Sequence, residues 1–267
     1  EPISTGKFNT DMALALNANG NNVKVFCFHP FYPKWETEKS NESLPNIEII
    51  RGGKNLKYTN KTILRRFILE VGFAFFVFRK IFKHQKNVDI IIPVFPPSLA
   101  FSLILPFLKN SIEKVGMIHD LQEVYSKNKK GIFYKWIGKI IHQIEKRGFQ
   151  SCDKLIFLSE EMKNEAKKSY QLTSTNLKVQ YPFATLNVGN KGLTNDLGEI
   201  FQKGIKHIVY SGALGEKQNP KELYRVFNYC SGKLPEIRFH FFSQGTLFEE
   251  LKEVNNNSKI LFHNLVA

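Results

Sequence analysis

The chain has 267 residues, room for one large or two ordinary domains with a sizeable core. Its 42% apolar content argues against wholesale disorder, and its three cysteines (Cys27, Cys152, Cys230) lie too far apart for a CxxC zinc site or a disulfide framework. The formal charge of +14, from 38 Lys+Arg against 24 Asp+Glu, calls for an anionic partner: a membrane face, a phosphorylated substrate or a nucleic acid.

In chain order, a helix is expected over 7–19 and a strand over 22–28 (NVKVFCF). A strand over 46–50, a long helix over 61–84 and a strand over 88–94 follow. Then come a helix over 97–108, a strand over 113–118, a helix over 131–150, a strand over 153–159, a helix over 159–170 and a strand over 178–181. After a gap the alternation resumes, with strands over 206–210, 236–242 and 259–263 and helices over 219–231 and 245–254. The strands are short and rich in Val, Ile and Phe, as expected of strands buried on both faces. Alternation of this kind argues for parallel sheets with helices on both sides.

The gap is Gly-, Asn- and Thr-rich and weakly apolar, which reads as a linker over 182–204. It separates an N-terminal Rossmann-like domain, 1–181, from a partial C-terminal one, 205–267. Glu1 enters without a preceding strand, and the second domain has few strands, so the chain reads as a piece open at both ends. No signal peptide is visible, and the longest apolar run, 67–78, carries Glu70 and falls short of the roughly 20 residues a bilayer span needs.

Three strand-to-helix junctions carry glycine. At EPISTGKF, Gly6 in a loop lets backbone approach a ligand, and the helix behind it offers free N–H groups and a positive dipole end. This is no P-loop: Lys7 is followed by Phe8 rather than Ser or Thr, and position 1 is Glu. At SGALGEKQNP, Gly212 and Gly215 permit tight backbone and Lys217 stands just before a helix. There it either neutralises a diphosphate or is simply solvated. At FSQGTLFEEL, Gly245 serves close packing or nucleotide approach.

From Arg51 to Ile90 ten basic residues face only Glu70 and Asp89, a local charge of +8 around an apolar helix. Arg65, Arg66, Arg79, Lys80 and Lys83 belong to it, and Lys135 and Trp136 repeat the mixture in KKGIFYKWIGKII. Basic residues beside aromatics suit an interfacial helix on anionic headgroups; two buried crossover helices with a solvated basic rim would read alike. Nucleic acid is not expected as the partner, since no recognition motif is present and the aromatics sit inside apolar runs.

EPISTGKFNTDMALALNANGNNVKVFCFHPFYPKW, then YSGALGEKQNPKEL, then FFSQGTLFEEL, resemble family-4 glycosyltransferases in matching order over nearly the whole chain. The nearest group is the fucosamine-transferase-like branch of bacterial surface-polysaccharide synthesis. The resemblance implies a GT-B fold: two Rossmann-like, doubly wound α/β domains facing a cleft, the second incomplete here. It implies a retaining enzyme that holds a nucleotide sugar mainly in the C-terminal domain and its acceptor in the N-terminal one. Gly6 and Lys7 would face the donor; Glu216 and Lys217 match the family's Glu-Lys phosphate motif, with Gly212 and Gly245 beside them. Where the family often has an arginine ahead of that lysine, this chain has Ala213 and Leu214. The family's acidic pair would fall beyond Ala267.

His119 and Asp120 close a strand, where doubly wound sheets put functional groups. Asp120 would take the acceptor's proton or orient His119, and His119 would contact the sugar; a helix cap and a packed histidine would look the same. The sequence has no DxD, so no obligatory metal and no other cofactor is expected. The expected acceptor is a polyprenyl-diphosphate-linked saccharide, met by a cytoplasmic protein peripheral on the inner face of the plasma membrane. A nucleotide-sugar 2-epimerase on the same fold, and a non-catalytic membrane-docking subunit, remain the alternatives.

Overall fold

The computed structural model describes residues 4–31, 35–59, 62–121, 131–173, 176–182, 200–212, 214 and 218–264. They divide into two compact units, Glu1–Leu186 and Asn187–Ala267.

The first unit opens with helix α1 (Ser4–Ala18) and the parallel pair β1 (Lys24–Phe28) and β2 (Glu48–Gly52), in register Lys24↔Glu48 through Phe28↔Gly52. Helix α2 (Thr62–His84) follows, then β3 (Ile90–Ile91), β4 (Val94–Phe95) and α3 (Leu99–Ile104). The remainder is β5 (Glu113–Ile118), α4 (Ile132–Gln150), β6 (Lys154–Phe157), α5 (Glu160–Tyr170) and β7 (Asn176–Val179). A parallel sheet runs β3-β5-β6-β7, with β4 also pairing β5. The single strand expected over 88–94 is broken into β3 and β4 around Pro93, which has no N–H to give a ladder; its carbonyl accepts from Met117 N–H at 2.8 Å. The helix expected to reach 108 stops at Ile104 and tightens into a 3₁₀ turn over Leu105–Phe107, which holds Pro106.

Local chemistry fixes several boundaries. Ser159 caps α5 by accepting from Met162 N–H at 3.1 Å. Glu160 and Glu161 lie in the first turn, Lys167 and Lys168 in the last, each matching the helix dipole. Helix α2 has two apolar faces. Ala74, Val77 and Ile81 turn into the core with Phe95, Ile118, Phe149 and Phe157, whereas Leu64, Phe67, Val71, Phe75 and Phe78 stay exposed.

The second unit is β8 (Lys206–Ser211), α6 (Pro220–Lys233), β9 (Ile237–Ser243), α7 (Thr246–Val254) and β10 (Ile260–Asn264), a parallel sheet in the order β10-β9-β8. Its centre, β9, is buried almost throughout, and Phe239 and Phe241 pack on Phe227 at 4.9 and 4.8 Å. Burial on both faces does not extend to β8: as the edge of the described sheet it leaves Ile208 and Val209 more than 40% exposed. Among the described residues no helix is long and apolar enough to cross a membrane.

Candidate functional site

In the first unit, β5 delivers His119 at its C-terminal end. The His119 backbone N–H donates to the Phe95 carbonyl at 2.9 Å, which ties it to the end of β4. Its ring meets the Phe8 ring edge-on, with centroids 5.4 Å apart. Phe8 lies in the first turns of α1, two residues after Gly6, so the fold brings the Gly6–Lys7 stretch and the His119–Asp120 stretch to one place. Gly6 itself sits inside α1 and is buried, not in a loop ahead of the helix: the helix starts at Ser4, earlier than the apolar periodicity indicates. Lys7 and Asp120 are half-buried.

Two buried polar atoms here have no hydrogen-bond partner among the described residues: His119 Nε2 and Asn9 Oδ1. Buried polar atoms are nearly always paired, so orphans mark a place that a ligand or water completes. Burial lowers the His119 pKa, which keeps the ring neutral near pH 7, able to donate from one nitrogen and accept at the other. Asn9 had no distinguishing signal in the sequence beyond its place one residue after Phe8.

In the second unit the C-terminal ends of β8 and β9 lie side by side. Gly212 (φ +143°) follows β8 and donates its N–H to the Phe242 carbonyl at 3.1 Å. Gly245 (φ +109°) caps α7. A Cβ at Gly245 would meet nothing within 4 Å, so of the two roles expected of it, close packing and nucleotide approach, the geometry does not call for the first; its φ is what favours glycine. Between them Ser243 is fully buried, and its Oγ has no partner among the described residues. Sequence reasoning passed over Ser243 in favour of the neighbouring glycine, although a serine ending a buried strand just before a Gly turn is itself a signal. Leu214, near where the family often has an arginine, is buried in the core with Phe241 and Phe248. Glu216 and Lys217 lie outside the described residues.

The basic residues divide. Arg79, Lys83 and Lys135 are exposed, as is Trp136 at 61%. Arg65, Arg66 and Lys80 are half-buried, and the Arg65 guanidinium stacks on Trp35, 3.8 Å from its ring centroid. Arg65 is therefore held by an aromatic face and is not a free surface cation. Among the described residues no cluster of His, Cys, Asp or Glu could hold a metal ion.

Parallel sheets interleaved with helices, with polar groups gathered at the strands' C-terminal ends, define an α/β protein of the GT-B glycosyltransferase architecture. Residues 5–187 match Glycosyltransferase Family 4, and the chain belongs to that family. No curated protein matches it. Among solved structures, sucrose-phosphate synthase from Thermosynechococcus elongatus is similar with a TM-score of 0.68 at 12% identity, over 99% of this chain and 65% of that one. TarM is similar with a TM-score of 0.49 at 13% identity, over 73% of this chain and 37% of its own. The chain thus spans less than two thirds of either structure's length.

Proposed function

We propose that this protein is a retaining glycosyltransferase. It moves a hexosyl or N-acetylhexosaminyl group from a nucleotide sugar to a polyprenyl-diphosphate-linked saccharide, in the fucosamine-transferase-like branch of surface-polysaccharide synthesis. Family membership supports glycosyl transfer. The observation that carries the lipid-linked acceptor is the outward face of α2, where Phe67, Phe75 and Phe78 stand in water between basic residues.

On this reading the second unit takes the donor. Backbone N–H groups at the start of α7, opened by Gly245, and the Ser243 hydroxyl meet the nucleoside diphosphate beside Gly212, while Glu216 and Lys217 complete the site and Lys217 neutralises its charge. Gly6 and Lys7, in the first turns of α1 among its free N–H groups, are the donor-facing residues of the first unit. The bond from the anomeric carbon to phosphate oxygen breaks, and the nucleoside diphosphate leaves with the electron pair. The acceptor hydroxyl attacks the same face of the sugar, and its proton goes to the leaving phosphate or to Asp120. The neutral His119 bonds the transferring sugar through Nε2, which has no partner among the described residues. We also propose transfer without an obligatory metal, on the absence of a DxD motif, by a protein peripheral on the inner face of the plasma membrane.

The test is sugar transfer from a panel of nucleotide sugars to polyprenyl-diphosphate-linked saccharides in vesicles, with and without chelator. Transfer is expected in both arms. Lys217→Ala should raise the donor KM about 10- to 100-fold, the worth of one charge-assisted hydrogen bond. Consumption of donor in the absence of acceptor, or a variant with unchanged donor KM, would overturn the assignment.

A further inference from the structure

Between the loop after β2 and the middle of α2 lies an open pocket of about 440 Å³. Phe28, Leu56 and Phe76 form its floor, and Lys54, Arg79 and Lys80 stand around it. We infer that this pocket receives the phosphate head of an anionic membrane amphiphile whose chain lies along the exposed face of α2. The inference rests on the membrane-facing half of the function proposed above, and it adds a defined headgroup site to it.

Close approach of backbone makes the pocket. Gly53 has φ +76°, and a Cβ there would come within 2.9 Å of the Phe28 ring; one on Gly72 would come 3.1 Å from Leu56 Cδ1. The loop therefore settles onto α2 and holds Lys54 over the same hollow as Arg79 and Lys80. None of the three has a carboxylate partner among the described residues. The acid within α2, Glu70, is turned to α3, where it accepts from Leu99 N–H at 2.9 Å. His29, one residue past β1, has its pKa lowered by burial first, then by Arg51, Lys54 and Lys39, of which Lys54 lines the pocket. Three cations around one hollow, with no carboxylate partner among the described residues, fit a group carrying more than one negative charge, which a phosphate supplies and a single carboxylate does not.

The pocket is also continuous with the apolar stripe. Phe75 lines it and is 62% exposed, with the Arg79 guanidinium 5.5 Å from its ring. From Phe75 the stripe runs through Val71, Phe67 and Leu64 at helical spacing, all at least 40% exposed. A soluble phosphate would leave that stripe in water, whereas an amphiphile covers both parts at once.

Vesicle co-sedimentation of the full chain separates these outcomes. Phosphatidylcholine vesicles are doped with either phosphatidic acid, whose phosphate is terminal, or phosphatidylserine at matched surface potential. Diffuse attraction responds to potential alone. A headgroup pocket should bind the phosphatidic acid vesicles about tenfold more tightly, one charge-assisted hydrogen bond's worth. The exposed pair Lys54→Ala/Arg79→Ala should abolish that preference, while the equally charged control pair Lys83→Ala/Lys86→Ala lowers both affinities and keeps it. Circular dichroism of both variants checks that they fold. Equal binding to the two lipids, or a preference that survives in the pocket variant, overturns the headgroup site. No binding to any vesicle overturns the membrane reading as well. Inorganic pyrophosphate binding without vesicles, lost in the pocket variant, with no lipid preference, assigns the pocket to free phosphate and overturns the amphiphile. Tighter binding to a short single-stranded DNA than to any vesicle does so too.

Discussion

Two histidines, one in each unit, show how the same side chain can be structural or available. His240 lies in the middle of β9, fully buried, and both its nitrogens are used: Nε2 meets His207 Nδ1 at 2.8 Å and Nδ1 meets His263 Nε2 at 3.0 Å. The far nitrogen of His207 reaches the Gln202 carbonyl at 3.2 Å. A carbonyl only accepts, so His207 donates there from Nε2. With one hydrogen on each ring, His207 accepts at Nδ1 from His240 Nε2 and His240 accepts at Nδ1 from His263, which gives one consistent donor–acceptor chain. His119 is half-buried and shares the lowered pKa, yet its buried Nε2 meets nothing among the described residues. The first histidine is completed by the fold; the second has an Nε2 with no partner among the described residues.

The largest expected effect breaks the comparison on the His119 side. His119→Ala should lower the rate of glycosyl transfer about 10²- to 10³-fold, the usual cost of losing one preorganised donor at a reacting centre. Its melting temperature should change little, because Nε2 gives up no hydrogen bond to the described residues. A variant within threefold of the parent rate would make His119 a packing partner of Phe8 and nothing more.

On the His240 side the expected effect is on stability and depends on pH. Burial, then the neighbouring His263, His207 and Arg238, lower the His240 pKa to about 4, and burial lowers that of His263. An unfolded chain takes up these protons as pH falls through about 6.5, whereas the native sheet defers uptake of the His240 proton to about 4. The stability is therefore intact above pH 6.5 and is lost as pH falls towards 4, at up to about 1.4 kcal/mol per pH unit for His240. Thermal melts of the full chain between pH 7 and 4 should show the second unit weakening first. In His240→Leu that slope should flatten, at the expense of a lower melting temperature at pH 7; an unchanged slope would assign the titration to other groups.

The same contrast explains what was legible in the sequence. Strand–helix alternation located the elements because apolar runs and Gly or Pro punctuation act locally. Pro93 was visible, but its power to split a strand depends on which neighbour needs its N–H. His207, His240 and His263 stand far apart along the chain. Only the parallel register, with Val209 opposite His240 and Leu261 opposite the same residue, draws them into one diagonal row. His119 was legible as a strand-end residue, whereas its missing partner is a property of packing. Likewise the turn of Arg65 onto Trp35, and the exposed faces of α2 and β8, follow from what lies across from them.

The smallest effect sharpens the comparison at the glycine turns of the second unit. Gly245→Ala adds a methyl group into open space, so only its φ of +109° resists, at roughly 1–2 kcal/mol. Gly212→Ala, at φ +143° with only the Tyr210 hydroxyl 4.0 Å from the added carbon, should cost a similar amount. If each glycine serves backbone geometry alone, urea midpoints will fall while the donor KM measured below the transition stays put. If these turns also present N–H groups to the donor's phosphates, KM will rise several-fold in variants that remain folded. Measuring midpoint and KM on the same two proteins separates the roles, and a fall in stability with unchanged KM would remove Gly212 and Gly245 from the donor site.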